Sequence, residues 1–269
     1  MATYICKTCG VQYADSERPP ARCIICEDER QYIGWQGQQW TTLEEMRQEG
    51  YHNEFRDLEP GITGIATTPS FAIGQRALLV ERPQGNFLWD CISFIDDETV
   101  ERIQSLGGLR GLSVSHPHFY SAIVEWSKAF GGIPVYLPED DRQWVTRPDS
   151  AIRYWRGVRE LGPGATLIQC GGHFPGSTVF HWAAGAGGKG VLLVGDTMAV
   201  AQDRRHVSFM YSYPNLIPLP AAAIRGILAA LEPYAFDRIY SAFRGKEIMA
   251  GGRQAVERSA ARYLRQIQG

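Results

Sequence analysis

The chain has no stretch approaching the ~18 consecutive apolar residues that a membrane span needs, so no membrane partner is expected. Its opening residues, Met1-Ala-Thr-Tyr-Ile-Cys6, show no basic region followed by an apolar run. That pattern is not a secretory signal, and a cytoplasmic location is the default expectation. An excess of charge of one sign is also missing. The net charge is −2, so no global basic field draws the chain to nucleic acid, and no nucleic-acid partner is expected. Six cysteines in 269 residues are too few for a disulfide scaffold. Internal repeats and low-complexity tracts are missing as well.

What is present suits one large domain, or one domain with a small module. Hydrophobic residues make up 44% of the chain, enough for an ordinary core at this length. Acidity is concentrated at the front. Residues 1–59 carry six Lys and Arg against eleven Asp and Glu, a net of −5, which leaves +3 for the remainder. Four of the six cysteines lie in that acidic segment, as Cys6-Lys-Thr-Cys9 and Cys23-Ile-Ile-Cys26. Two C-x2-C pairs can sit on two tight turns and present four thiolates to one tetrahedral metal. The spacing resembles a zinc ribbon. It also resembles the short rubredoxin-like domain of rubrerythrins, with Tyr4 before the first pair, Gly10 after it and Pro19-Pro20 before the second. The second pair lacks the Pro and Gly of rubredoxin knuckles, so structural zinc is expected in preference to iron. A metal would stabilise a segment too short to build its own core.

The module is assigned to residues 1–32. Residues 33–59 follow as a connecting segment expected to pack on the body, because Trp35, Trp40, Tyr51 and Phe55 are many aromatics for a loose linker. Thr42-Leu-Glu-Glu45 fits a capping box that starts a short helix. The turn signal Glu59-Pro60-Gly61 marks the start of the main domain, residues 60–269. Within it, Phe71–Glu81 and Asn86–Cys91 read as paired strands, and Asp96–Leu106 as a helix ended by Gly107-Gly108. Leu112–Ser115 and Ile133–Leu137 read as strands around a helix over Tyr120–Phe130. A second strand cluster follows at Ala165–Cys170, Ser177–Trp182 and Gly190–Val194, with a turn at Gly185–Gly188. Phe236–Phe243 reads as a strand between two helices. Ile224, Ile227, Leu228 and Leu231 share a face of the first helix; Val256, Ala260, Tyr263, Leu264 and Ile267 share one of the second.

Three segments of the body carry chemistry. Ser115-His116-Pro117-His118-Phe119-Tyr120-Ser121 follows an apolar run, and its histidines can point the same way on extended backbone. Gly171-Gly172-His173-Phe174-Pro175-Gly176-Ser177 follows the strand 165–170. Val191-Leu192-Leu193-Val194-Gly195-Asp196-Thr197 is an apolar run ending in Gly-Asp. Each places a ligand-capable side chain just past a buried strand, where α/β architectures put binding residues. In order and interval the three resemble the metallo-β-lactamase superfamily, with its His-x-His-x-Asp-His, Gly-His-x-Pro-Gly and strand-end Gly-Asp, over roughly residues 60–269.

The resemblance implies a four-layer αββα sandwich, with His116, His118 and His173 as ligands of a first metal and Asp196 as the usually bridging carboxylate. It also locates departures. Tyr120 and Ser121 stand where the family has the Asp and His of its second metal, and Phe243-Arg244-Gly245 stands where it has a late Gly-His. A single-metal site holding zinc or iron is therefore expected. Asp196, Tyr120 and Arg244 are the remaining candidates for chemistry: Arg244 as a cation for a carboxylate or phosphate, Tyr120 as an oxyanion donor or an aromatic filler. His181 reads as a packed or capping residue, His206 as part of a basic loop tip, and Tyr211 and Tyr213 as pocket wall or packing. Cys170 reads as a buried small residue. The expected activity is metal-dependent hydrolysis of a small anionic ester, thioester or lactone. The alternatives are a non-catalytic binding or scaffold protein on a degenerate hydrolase fold, and an iron-dependent redox protein. Beyond the substrate, a homodimer is the one partner left open.

Overall fold

The computed structural model describes residues 1–268, which form two compact units. The first comprises Met1–Leu137 with Arg142–Tyr154; the second comprises Pro138–Asp141 with the chain from Trp155 onward.

The first unit is built on a seven-stranded sheet. Its strands run in chain order: His52–Glu59, Ile62–Thr68, Ala77–Val80, Phe87–Trp89, Gly111–Ser113, Val135–Pro138 and Ile152–Trp155. The first four are joined antiparallel, and Phe87–Trp89, Gly111–Ser113 and Val135–Pro138 run parallel. Parallel neighbours need crossovers, and the helices Asp97–Ser105 and Ile123–Ala129 supply them. Asp96 caps the first of these by accepting the Thr99 N–H. The chain leaves Gly111–Ser113 at the sheet's parallel end and runs directly into His116.

Several boundaries differ from the sequence reading. Glu59-Pro60-Gly61 is a turn, as expected, but it joins two strands of one sheet, with Glu59 opposite Ile62. Apolar alternation is weak in His52–Glu59 because it is the edge strand and none of its residues is buried. The strand expected from Phe71 begins only at Ala77, since positive φ at Ala72 and Gly74 turns the preceding residues into a loop. The helix expected from Tyr120 begins at Ile123, because Ser121 sits at φ +45°.

The cysteine segment is part of this first unit. Ile5–Cys6 pairs with Trp40–Thr41, and the helix Leu43–Gln48 carries the complete Thr42/Glu45 capping box. Ile5, Met46 and Phe94 form a small buried cluster with Leu43, Tyr51 and Phe71 around it. Of the four aromatics in residues 33–59, Tyr51 packs on this cluster, whereas Trp35 is fully exposed.

The second unit holds a six-stranded sheet in the order Val158–Glu160, Ala165–Gln169, Thr178–Trp182, Val191–Gly195, Arg238–Ser241, Glu247–Ile248. The first four are antiparallel; Val191–Gly195 and Arg238–Ser241 are parallel, with Gly195 opposite Ser241. Helices Ala221–Leu231 and Gly252–Gln268 bury Ile224, Ile227, Leu231, Val256 and Ala260 against Ile168, Val179, Leu192 and Val194. These are the apolar stripes read from the sequence, and burying them is the main stabilising contribution in this unit. The turn at Gly185–Gly188 is a short helical one with positive φ at Ala186, Gly187 and Gly188. Among the described residues, no helix is long and apolar enough to cross a membrane.

Candidate metal centres

The four N-terminal cysteines converge. Their sulfurs all lie within 4.8 Å of one another and are buried. Cys6 Sγ is 3.5 Å from Cys26 Sγ, and Cys9 Sγ is 3.6 Å from Cys23 Sγ. Disulfide sulfurs stand about 2.05 Å apart, and all six cysteines of the chain are free. Four thiolates bound tetrahedrally at ~2.3 Å would be about 3.8 Å apart, close to the separations seen. Hydrogen bonds from Cys23 and Cys26 hold the Cys6 thiol well below the ordinary range, while burial pushes Cys9 above it. Gln38 Nε2 donates to Cys6 Sγ at 3.2 Å, a contact that favours the thiolate.

The second group is His116, His118, His173 and Asp196, whose ligand-capable atoms also lie within 4.8 Å of one another. All four residues are buried. Three imidazoles and one carboxylate are a donor set for zinc or iron(II), so the residues present fit a divalent ion.

Local structure explains how each arrives. His116 is extended, at φ −170°, ψ 170°, and caps a 3-10 turn, Pro117–Phe119, that contains His118. The two rings meet at 5.0 Å because the chain turns between them, not because extended side chains alternate. Ser115 Oγ lies 2.9 Å from His116 Nδ1. His173 Nδ1 lies 3.1 Å from the Met210 carbonyl. A carbonyl can only accept, so His173 carries its proton on Nδ1, which leaves Nε2 as the nitrogen able to accept or to bind a metal. Asp196 follows Gly195 at the end of Val191–Gly195, and Thr197 Oγ1 donates to the Thr178 carbonyl, tying that end to the neighbouring strand.

Two carboxylates behind these ligands were not singled out from the sequence. Asp90 is fully buried and accepts the Ser115 N–H at 2.8 Å. Burial pushes its carboxyl up to about 7, against the opposing pull of hydrogen bonds from Ser115. The Ser115 hydroxyl can accept from His116 Nδ1–H while donating to Asp90, which again leaves Nε2 as the ligand. Asp141 is also buried and accepts the Gly176 N–H at 2.9 Å, bracing the loop that carries His173. Its one sequence signal was a glycine. A Cβ at Gly176 would stand 2.6 Å from Asp141 Cγ.

The other candidates are not members of this group of four. Tyr120 is buried directly after the His118 turn. Arg244 is exposed, on the loop after Arg238–Ser241; the parallel register puts that loop at the same end of the sheet as Asp196. His181 Nε2 lies 2.7 Å from the Ala235 carbonyl, and burial lowers its pKa. His206 pairs with Asp203 at 2.7 Å. The Tyr213 ring lies 5.6 Å from that of His173, tilted at 60°, and its hydroxyl donates to the Ser208 carbonyl at 3.1 Å. Tyr211 packs on the second unit's core, as does Cys170, which is half-buried.

No family model matches the chain. Among solved structures, the metallo-β-lactamase FIM-1 from Pseudomonas aeruginosa, in its mono-zinc form, superposes with a TM-score of 0.59 at 16% identity, covering 81% of this chain and 97% of that one. VMB-1 gives 0.58 at 13% identity, covering 80% and 98%. A B3 metallo-β-lactamase with an active-site glutamic acid gives 0.51 at 16%, covering 84% and 94%. The fold is therefore that of the metallo-β-lactamases, the α/β class expected from the motifs, with a four-cysteine group near its N-terminus. In sequence the chain is 49% identical over 269 residues to uncharacterized protein YmaE of Bacillus subtilis strain 168, spanning 99% of this chain and 97% of that protein. The chain belongs to the YmaE family.

Proposed function

We propose that the chain is a metal-dependent hydrolase with one metal ion at His116, His118 and His173, acting on a small anionic ester, thioester or lactone. The observation that carries the reading is the convergence of three buried histidines and a buried carboxylate within 4.8 Å. A divalent ion held there would supply Lewis acidity and activate water toward an acyl carbon. Asp90, through Ser115, keeps His116 oriented, and the Met210 carbonyl does the same for His173. Asp196 is positioned to orient a water or take up a proton. A second ion has little to hold it, because Tyr120 and Ser121 replace two of the side chains that would ligate it, and a lone carboxylate competes poorly with water. Arg244, exposed at the end of the sheet that bears Asp196, supplies a +1 charge with directional donors for the substrate's anionic group. The cysteine site takes structural zinc in this reading. Four reduced thiols suit a reducing compartment such as the cytoplasm.

The test is metal analysis of the purified chain, followed by a panel of anionic esters, thioesters and lactones. Two ions per chain are expected, with turnover that disappears in His173→Ala while the cysteine-bound ion stays. Full two-ion loading with no turnover across the panel would favour the binding-protein alternative. Iron with a thiolate charge-transfer band would favour the redox one.

A further inference from the structure

We infer that the cysteine module is a positioning device for the His116/His118 loop, so that filling the four-cysteine site tightens metal binding at the histidine site. This rests on the reading of His116 and His118 as metal ligands given above.

The connection is short and lies within one compact unit. The first knuckle is closed by the Gly10 N–H donating to the Cys6 carbonyl at 2.8 Å and the Cys6 N–H donating to the Val11 carbonyl at 3.0 Å. A metal on Cys6 and Cys9 would lock that turn. The three residues that leave it are all engaged. The Gly10 carbonyl accepts from Ser93 Oγ at 2.7 Å, in a buried contact. The Gln12 N–H donates to the Ser121 carbonyl at 3.0 Å, and the Gln12 carbonyl accepts from Thr146 Oγ1 at 2.7 Å. Arg147 donates to both Gln12 Oε1 and Glu125, on the helix that follows the histidine loop.

Ser121 is the residue through which the module acts. It lies three positions after His118, at φ +45°, a conformation that a non-glycine residue holds only when its surroundings impose it. Its hydroxyl donates to the Cys91 carbonyl at 3.2 Å and accepts from Gln75 Nε2 at 3.0 Å. The module grips the same residue from the backbone side. The space around this junction is nearly filled. The cavity lined by Gln12, Tyr120, Ser121, Thr146 and Arg147 has about 10 Å³, at the lower limit for one water. A loosened knuckle would release the Ser121 carbonyl and let the strained residue relax. The turn bearing His118 would then lose its fixed exit, and ligand geometry would have to be imposed by the metal itself. The coupling is reciprocal: an ion at the histidines tightens the cysteine site by the same factor.

Cobalt(II) separates the two sites in one titration of the full chain. Thiolate charge-transfer absorption reports the cysteines, and weaker ligand-field bands report the histidines. Gly10→Ala keeps all four cysteines, but its Cβ would stand 2.5 Å from Ser93 Oγ at φ +82°. It should retain the charge-transfer band while histidine-site affinity falls about tenfold, within the usual range of coupling between sites. Cys9→Ser, with the cysteine site emptied, should fall at least as far. Hydrogen exchange at residues 116–121 of the unmodified chain, with the cysteine site filled and then stripped, reads the same coupling should either variant fold poorly. Equal histidine-site affinity in all three proteins, or exchange at residues 116–121 that ignores the cysteine site, would overturn the inference and leave the hydrolase reading intact. An unmodified chain that takes no cobalt at the histidines would end both.

Discussion

Gly176→Ala tests whether the loop carrying His173 is held by Asp141. The glycine's N–H donates to Asp141 Oδ1 at 2.9 Å, and Asp141 is fully buried. An added methyl would stand 2.6 Å from Asp141 Cγ and 2.7 Å from Pro138 Cβ. Neither neighbour is the free end of a long side chain, so the loop or the carboxylate must move. Losing a buried hydrogen bond costs about 1–3 kcal/mol, and forcing a methyl into packed surroundings costs about 1–3 kcal/mol. The two overlap, since one displacement relieves both, and a total of roughly 3–4 kcal/mol is expected. Native-state hydrogen exchange on the strand Thr178–Trp182 reads the second unit by itself and avoids assuming that the whole chain unfolds in one step. Metal affinity at the histidine site should fall as well, because His173 is three residues away in the same loop. Asp141→Asn keeps an acceptor of the same shape and should cost about 1 kcal/mol. A Gly176→Ala protein within 1 kcal/mol of the unmodified chain, with unchanged metal affinity, would show that Asp141 does not brace the loop.

Asp90 gives a pH signature in the metal-free protein. Its folded pKa of about 7 lies above the unfolded value near 3.8. The stabilising contribution is therefore complete below about pH 4 and is lost as pH rises through 7, worth up to roughly 4 kcal/mol by linkage. Asp90→Asn should flatten stability across that window, and an unchanged pH–stability curve would place the pH-dependence elsewhere. Cys6→Ser should release the module's metal, seen as loss of one ion per chain, while exchange protection in the strand Val191–Gly195 stays intact. Arg244→Ala should weaken phosphate binding about fivefold and no more, because an exposed guanidinium is screened by solvent. A larger loss would mean that Arg244 turns inward when an anion binds.

The two clusters of candidate metal-binding side chains were legible in the sequence because their carriers are short and chemically distinctive. C-x2-C twice, His-x-His, Gly-His-x-Pro-Gly and a strand-end Gly-Asp each mark a side chain able to bind metal near a strand end or tight turn, although the meeting of His116 and His118 depends on a 3-10 turn that alternation did not predict. The apolar stripes of the helices Ala221–Leu231 and Gly252–Gln268 were legible for the same reason: a period of 3.6 is written in neighbouring residues. What stayed hidden depends on partners distant in sequence. The strand His52–Glu59 is a sheet edge with Phe55 and Leu58 as its apolar residues, so its pairing with Ile62–Thr68 is what identifies it. Asp90 and Asp141 are ordinary acidic residues until the fold buries them against Ser115 and Gly176. The reach of the cysteine module to Ser121 spans more than a hundred residues and runs mostly through backbone groups, which every residue carries alike and which no side-chain pattern records.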